Sequence, residues 1–270
     1  MNKQQTFTIP KKEFDVALTL DCGQAFRWQK TEENIWHGVA YKTPLTLIEN
    51  EDTITFSMKN AGDFETIWKN YFDLERNYTE VCETFKSDPV LKTAVEACPG
   101  IRILKQEPWE TLCSFIISQN NNIPRIKGII DRLCRLLGDD LGEDDFSFPS
   151  AEKILSAGIE GLAPIRSGFR AKYLVDAAEK VLSGEVDLEK AKTMSLEDSA
   201  QELKKIKGVG DKVAACVQLY GLGQVDALPV DVWVKRILAE LYLGGMPDCT
   251  DGMRGIAQQY LFYWRRNIVK

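Results

Sequence analysis

Residues 207–217 read KGVGDKVAACV, and this short stretch is the most informative about the helical part of the fold. Two glycines stand directly before a helix-like apolar run, and a helical pattern, SLEDSAQELKKIK, precedes them. We therefore predict a helix, a tight turn and a second helix over about residues 195–221. The amides of Gly208, Val209 and Gly210 are free to point at an anion such as a phosphate. Because such turns are also common in helical bundles, the turn alone leaves a purely structural role open.

Lys212 stands in the first turn of the second predicted helix, where a cation is mildly unfavourable. Cys216 follows four residues later, on the same face of the helix. The helix dipole and the apolar surroundings both disfavour the ammonium form, which favours a nucleophilic amine. The alternative is a lysine whose stem covers apolar surface while its charged end stays in water.

Asp231 occupies a similar place in the loop 227–232, immediately before the apolar positions of another predicted helix. In most sequences such an aspartate is a helix N-cap and nothing more. A carboxylate at a helix start also stays ionised and can stabilise positive charge that develops nearby. Lys212 and Asp231 together therefore predict the attack of an amine on an electrophilic carbon.

The segments on either side of these helices predict an α+β fold. Residues 35–41, 44–49 and 53–58 are strand-like and follow one another as an antiparallel meander. Apolar residues at helical spacing mark 64–72, and helices alone are predicted beyond about residue 80, most clearly over 122–138. We predict a small antiparallel sheet lobe over residues 1–90, packed on a mostly helical body over residues 91–270.

Composition excludes several classes of function. The 270 residues include seven cysteines, of which the closest two are 15 positions apart, and a single histidine, His37. This argues against a disulfide framework, a histidine-based triad and a clustered metal site, so we predict no metal and assign His37 a structural role. The net charge of −6 alone disfavours nucleic acid, although locally basic segments leave room for a basic face. The absence of a membrane-length apolar run, and an N-terminus unlike a secretory signal, predict an intracellular protein without membrane association, and we expect a monomer.

The paired motifs GVGDKVAAC (208–216) and LPVDV (228–232) resemble the helix-hairpin-helix and aspartate signature of base-excision DNA glycosylases. Four further segments, at 23–28, 115–134, 167–174 and 255–262, resemble the 8-oxoguanine DNA glycosylase family in the same order. The resemblance implies a bifunctional DNA glycosylase and AP lyase that flips 8-oxoguanine out of duplex DNA. In that family the residue matching Lys212 attacks C1′ and forms a Schiff base, and the residue matching Asp231 stabilises the cationic sugar.

The resemblance also implies a pocket for the flipped base. Gly23 matches a glycine whose carbonyl accepts the N7–H of 8-oxoguanine, a donor that guanine lacks. Phe262 and Cys216 match the residues that cover the two faces of the base, and Gln258 matches the amide that reads its edge.

A second implied set of residues contacts the orphaned cytosine and the duplex. Asn120 matches the asparagine that fills the vacated space, and Arg125 and Arg170 match the arginines that hold the cytosine. Phe169 replaces a tyrosine that wedges beside the orphan base, which puts the strictness of cytosine preference in doubt.

Three departures from the family pattern concern contacts and not catalysis. Trp233 stands where animal members carry a phosphate-contacting histidine, Lys207 replaces a proline and offers a further phosphate contact, and Ala25 replaces a small polar residue. No cofactor is expected to be required, although turn carbonyls at the hairpin suit a monovalent cation. Two alternatives stay open: a glycosylase for another damaged purine, and a catalytically silent helix-hairpin-helix DNA-binding protein.

Overall fold

The computed structural model describes residues 4–12, 14–243 and 245–268. Its N-terminal sheet has five antiparallel strands in the order β1-β5-β4-β3-β2. The strands are β1 (Gln5–Pro10), β2 (Trp28–Glu32), β3 (Ile35–Ala40), β4 (Thr43–Glu49) and β5 (Thr53–Met58). The predicted meander over β3, β4 and β5 is confirmed. The outer strands β1 and β2 were missed because most of their side chains are exposed, so neither shows the alternation of a half-buried strand.

Trp28 anchors the core of the sheet lobe. It is fully buried, and it lies opposite Gly38 on the neighbouring strand. A Cβ atom at Gly38 would come within 2.5 Å of the Trp28 ring, so only glycine leaves room for the indole. The indole N–H donates to the Tyr71 hydroxyl at 2.8 Å, which ties the sheet to the helix that follows it.

Helices make up most of the chain after the sheet. A π-helical turn over Phe64–Trp68 leads into α2, and 3-10 turns cover Ala163–Ile165, Gly168–Arg170 and Asp248–Thr250. The α-helices are α1 (Val16–Leu20), α2 (Lys69–Tyr71), α3 (Tyr78–Phe85), α4 (Pro89–Ala97), α5 (Pro108–Ser118), α6 (Ile123–Leu137), α7 (Ala151–Gly161), α8 (Ala171–Leu182), α9 (Leu188–Ala191), α10 (Leu196–Lys204), α11 (Asp211–Tyr220), α12 (Val232–Leu241) and α13 (Arg254–Asn267).

The predicted helix starts agree with the structure where a side chain caps the helix. Asn122 accepts the Arg125 N–H at 3.0 Å before α6, and Ser195 accepts the Asp198 N–H at 3.0 Å before α10. The prediction of helices alone beyond residue 80 is wrong at the acidic segment 138–146, which forms a hairpin of β6 (Asp140–Gly142) and β7 (Asp145–Phe146). Strands this short carry no periodic signal.

Two hydrophobic cores occupy the described part of the chain. The smaller one lies under the sheet and takes in Leu104 from far along the chain, whereas Phe26 packs in the larger, helical core. Residues before and after position 90 therefore contribute to both cores. The domain boundary near residue 90 stays a prediction. Among the described residues, no helix combines the length and the apolar character needed to cross a membrane.

Candidate active site

The turn between α10 and α11 requires its first glycine. Gly208 has a φ of +83°, and a Cβ atom there would lie 2.5 Å from the Tyr173 ring. Val209 is buried and its N–H donates to the Ile206 carbonyl at 3.1 Å, so the prediction of a free amide is wrong at this residue, whereas Gly210 is exposed and forms the N-cap of α11. The start of α11 therefore presents backbone amides to solvent at the positive end of a helix dipole.

Lys212 is half-buried in the first turn of α11, between a ring and a thiol. Its Nζ lies 5.2 Å from the centroid of the Phe115 ring, within the range of a cation–π contact. The Cys216 thiol is next to it on the same face of the helix. Burial raises the pKa of Cys216 to about 11 against the opposing charge of Lys212, so the thiol stays protonated at neutral pH.

Asp231 faces Lys212 across a cleft of about 690 Å³. It is the N-cap of α12, and its carboxylate accepts the Val234 N–H at 2.9 Å. The cleft is walled by α11, by the end of α5 and by the start of α12. Two helix starts thus bring the Lys212 and Asp231 side chains to one solvent-accessible space.

The structure also brings Gly23 close to α13, which carries Gln258 and Phe262. Gly23 has a φ of +84°, and Gln259, the neighbour of Gln258, donates to the carbonyl of Cys22 at 3.3 Å. Phe262 lies one turn beyond Gln258 and is half-buried, with the guanidinium of Arg266 5.6 Å from its ring centroid.

Gln258 is 4% exposed, and its Oε1 has no hydrogen-bond partner among the described residues. A buried carbonyl without a partner costs about 1–3 kcal/mol. This acceptor is therefore available to a ligand that supplies a donor.

Three asparagines shape the loop that joins α5 to α6. Asn120 is exposed and has a φ of +48°, a left-handed conformation that asparagine tolerates better than most residues. Asn121 donates to the carbonyl of Ile117 at 3.2 Å and so closes the end of α5, while Asn122 caps α6. Arg125, in the first turn of α6, is exposed on the same side.

Arg170 is 3% exposed and supports this loop from beneath. It donates to the Gln119 carbonyl at 2.9 Å, to the Ser167 carbonyl at 3.1 Å and to the Asn120 carbonyl at 3.2 Å. Burial, together with the nearby charge of Arg125, lowers the pKa of Arg170. The structure therefore places the two arginines close together, with most Arg170 donors on backbone carbonyls and Arg125 free to face solvent.

Phe169 is 48% exposed on the same surface, and the Arg170 guanidinium stacks 4.4 Å from its ring centroid. An exposed aromatic ring beside a polar loop fits a side chain that enters a duplex.

Comparison with known proteins agrees with this geometry. Residues 6–112 match the 8-oxoguanine DNA glycosylase N-terminal domain, and residues 113–251 match the HhH-GPD superfamily of base excision DNA repair proteins. The N-glycosylase/DNA lyase of Saccharomyces cerevisiae is 33% identical, and the match covers 87% of this chain and 70% of the yeast protein. This chain belongs to the 8-oxoguanine DNA glycosylase family.

Solved structures of the family are similar over their full length. The Clostridium acetobutylicum 8-oxoguanine glycosylase/lyase, in complex with double-stranded DNA containing cytosine opposite 8-oxoG, is 34% identical with a TM-score of 0.90. That match covers 98% of this chain and 97% of the other. MBOgg1 in complex with a low-affinity DNA ligand is 40% identical with a TM-score of 0.90, over 99% and 100% of the two chains.

The three departures from the 8-oxoguanine glycosylase pattern have clear structural settings. Trp233 is partly exposed at the start of α12 and stacks with the Arg236 guanidinium at 5.4 Å. The Lys207 ammonium lies 3.1 Å from Asp176, so its charge is already paired, and its phosphate contact stays a prediction. Ala25 is buried, where a small side chain fits.

Several residues of this glycosylase site were missed from the sequence. Phe115 lies in α5, nearly all of whose side chains are buried, so nothing in the sequence distinguishes the ring next to Lys212 from ordinary core. Gln24 and Gln259 could have been found from the sequence, because each is a polar residue in a segment that is otherwise mostly apolar. The structure buries both side chains.

Proposed function

We propose that this glycosylase excises 8-oxoguanine from duplex DNA and then acts as an AP lyase, with Lys212 as the nucleophile. The observation that carries the proposal is the shared cleft of Lys212 and Asp231, with a helix start on each side. Relatives named N-glycosylase/DNA lyase and 8-oxoguanine glycosylase/lyase support both activities.

In the proposed reaction, the Lys212 amine forms a bond to C1′ while the bond from C1′ to N9 of the base breaks. Positive charge develops on the sugar in the transition state, and the Asp231 carboxylate stabilises it. The attached sugar then opens to a protonated Schiff base, and loss of a C2′ proton expels the 3′ phosphate by β-elimination. Phe115 packs beside the lysine, and its ring centroid lies 5.2 Å from Nζ, so it helps to hold the end of the Lys212 side chain in place.

We infer that Gly23, Gln258, Phe262 and Cys216 form the pocket for the flipped base. The unpaired Oε1 of Gln258 supports this, since the base edge carries N–H donors that would satisfy it. Cys216 suits the inner face of the base, because it is buried and its thiol stays uncharged. The partly exposed ring of Phe262 is available to stack on the outer face, a contact worth about 1–3 kcal/mol per base.

The proposal requires no cofactor, because Lys212 and Asp231 supply the nucleophile and the stabilising charge. The monovalent cation at the hairpin stays a prediction, and backbone carbonyls of the turn are the donor type that such an ion takes. One of them, on Ile206, already accepts the Val209 N–H at 3.1 Å.

The two alternatives differ from this proposal in testable ways. A monofunctional glycosylase for another purine, such as an alkylated one, would need no lysine nucleophile and would form no covalent complex with borohydride. A silent DNA-binding protein would need neither Lys212 in the cleft nor a buried acceptor on Gln258.

Borohydride trapping tests the function directly. Duplexes carrying 8-oxoguanine, uracil or an abasic site are incubated with the protein and borohydride, and covalent complexes are counted after denaturing electrophoresis. We expect complexes with 8-oxoguanine and with the abasic site and none with uracil. Absence of the 8-oxoguanine complex would refute the proposed substrate, and absence of both would refute the lyase.

We predict that Arg125→Ala narrows the preference for cytosine over adenine opposite the lesion. Cytosine offers O2 and N3 acceptors to an arginine fork, whereas adenine presents its N6 donor on the same edge. A good bidentate base contact is worth about 1–3 kcal/mol, which sets the expected loss of discrimination. The measurement compares single-turnover excision rates on the two duplexes.

Arg132→Ala is the matched control, because Arg132 lies on the same helix and donates at 3.0 Å to the Ile165 carbonyl inside the protein. It should leave the ratio of the two rates unchanged. If Arg125→Ala slows both duplexes equally, Arg125 contacts phosphate and does not recognise the base.

A further inference from the structure

The peptide bond before Gly23 is held by α13. The Cys22 carbonyl accepts the Gln259 side-chain amide at 3.3 Å, and Gln259 Oε1 in turn accepts the Tyr220 hydroxyl at 2.5 Å. Gln259 is 1% exposed and Tyr220 is buried. Both bonds are therefore shielded from water, where a hydrogen bond is strong and its loss is costly.

Gln24, the residue on the other side of Gly23, is also held by several hydrogen bonds. Gln24 is fully buried, and its side chain donates to the Arg102 carbonyl at 2.7 Å and accepts the Leu104 N–H at 2.9 Å. The backbone carbonyl of Gln24 accepts the Gln106 side-chain amide at 2.7 Å. Since Gly23 has no side chain, the positions of its two neighbours determine where its own carbonyl points.

We propose that Gln259 is a positioning residue that fixes the direction of the Gly23 carbonyl and so sets the discrimination of 8-oxoguanine from guanine. This inference rests on the proposed function. Gln259 is next to Gln258 on α13, so one hydrogen bond joins the helix that carries the base-edge amide to the loop that carries the discriminating carbonyl.

Direction matters because the two bases differ at one atom. N7 of 8-oxoguanine carries a hydrogen and donates, whereas N7 of guanine is an acceptor that a fixed carbonyl repels. A carbonyl that is free to tilt makes a weaker hydrogen bond to N7–H of 8-oxoguanine, since hydrogen bonds weaken as they depart from a linear geometry. The same tilt relieves the repulsion of guanine. Affinity for 8-oxoguanine therefore falls while affinity for guanine rises, and the two bases are discriminated less well.

Tyr220 extends the connection to the nucleophile. Its ring stacks on Phe115 with centroids 5.5 Å apart, and Phe115 is the ring that contacts Lys212. Tyr220 is also the last residue of α11, the helix that begins beside Lys212. Because these are contacts of the rings, they do not require the bond from the Tyr220 hydroxyl to Gln259, so Lys212 should keep its position when that bond is lost.

The test uses Gln259→Met, which keeps the side-chain volume and removes both hydrogen bonds. In a Lys212→Gln background, fluorescence anisotropy gives the Kd for duplexes with 8-oxoguanine or guanine opposite cytosine. We expect the ratio of the two Kd values to fall about tenfold, the effect of roughly one oriented hydrogen bond. In the wild-type background, cleavage of preformed abasic sites should stay unchanged, because these contain no base for Gly23 to contact.

Gln218→Met is the matched control, since Gln218 is a buried glutamine on α11 whose amide bonds the Leu196 carbonyl at 2.6 Å, away from Gly23. It should leave the Kd ratio unchanged. An unchanged ratio in Gln259→Met, or an equal loss of abasic-site cleavage, would overturn the inference. If Gln259→Met does not fold, Tyr220→Phe gives the same test, because it keeps the stacked ring and removes one hydrogen bond to Gln259. We then expect a smaller fall in the ratio of the two Kd values. Failure of the unmodified protein to excise 8-oxoguanine would instead refute the proposed function.

Discussion

Replacing Lys212 with glutamine should abolish both base release and borohydride trapping. The amide of glutamine cannot attack C1′ or form a Schiff base, so the loss should exceed about 10³-fold, or roughly 4 kcal/mol of transition-state stabilisation. Binding of lesion DNA should stay largely intact, because the hairpin amides and the base pocket are unaltered. Single-turnover kinetics and anisotropy on one 8-oxoguanine duplex measure the two effects separately.

Lys235→Gln is the control for charge. Lys235 lines the same cleft and its replacement removes one positive charge without removing the nucleophile. It should weaken DNA binding but allow trapping at saturating enzyme. Trapping of Lys212→Gln at the level of the unmodified protein would disprove the assignment of the nucleophile.

The second large effect is expected for Asp231→Asn. Asparagine caps a helix about as well as aspartate, so α12 should keep its start while the negative charge is lost. Removing a preorganised electrostatic group of this kind typically costs about 10²–10³ in rate. Single-turnover excision should fall by that amount with little change in lesion affinity or in thermal unfolding.

Asp187→Asn is the control for the effect of changing aspartate to asparagine at a helix N-cap. Asp187 is the N-cap of α9 and accepts the Lys190 N–H at 2.9 Å, outside the cleft. It should change neither rate nor affinity. If Asp231→Asn excises 8-oxoguanine as fast as the unmodified protein, the carboxylate is a helix cap and takes no part in catalysis.

Local patterns predicted the parts of the site that depend on neighbours in sequence. The helix starts near residues 122 and 195, the cap at Asp231 and the turn at Gly208 each follow from a few adjacent residues, and each is present in the structure. The family resemblance supplied the roles of residues in the base pocket, which no spacing or periodicity could assign.

Long-range pairings could not be predicted in this way. Gln259 and Cys22 are 237 positions apart, and only the packing of α13 against the segment after α1 brings them together. The contact between Lys212 and Phe115 likewise depends on how α11 lies against α5. The outer strands β1 and β2 were missed because their pairing partners, and not their own patterns, make them strands.

The buried, unpaired carbonyl of Gln258 has a consequence for attempts to make this enzyme more robust. Methionine or leucine at this position would relieve the unsatisfied acceptor without opening a cavity, so a screen for heat resistance would favour either replacement. On the proposed function, the variants selected in this way would be more stable but would lose the side chain that binds the edge of the damaged base. The stability of the protein at this position would then be limited by the proposed contact with the base.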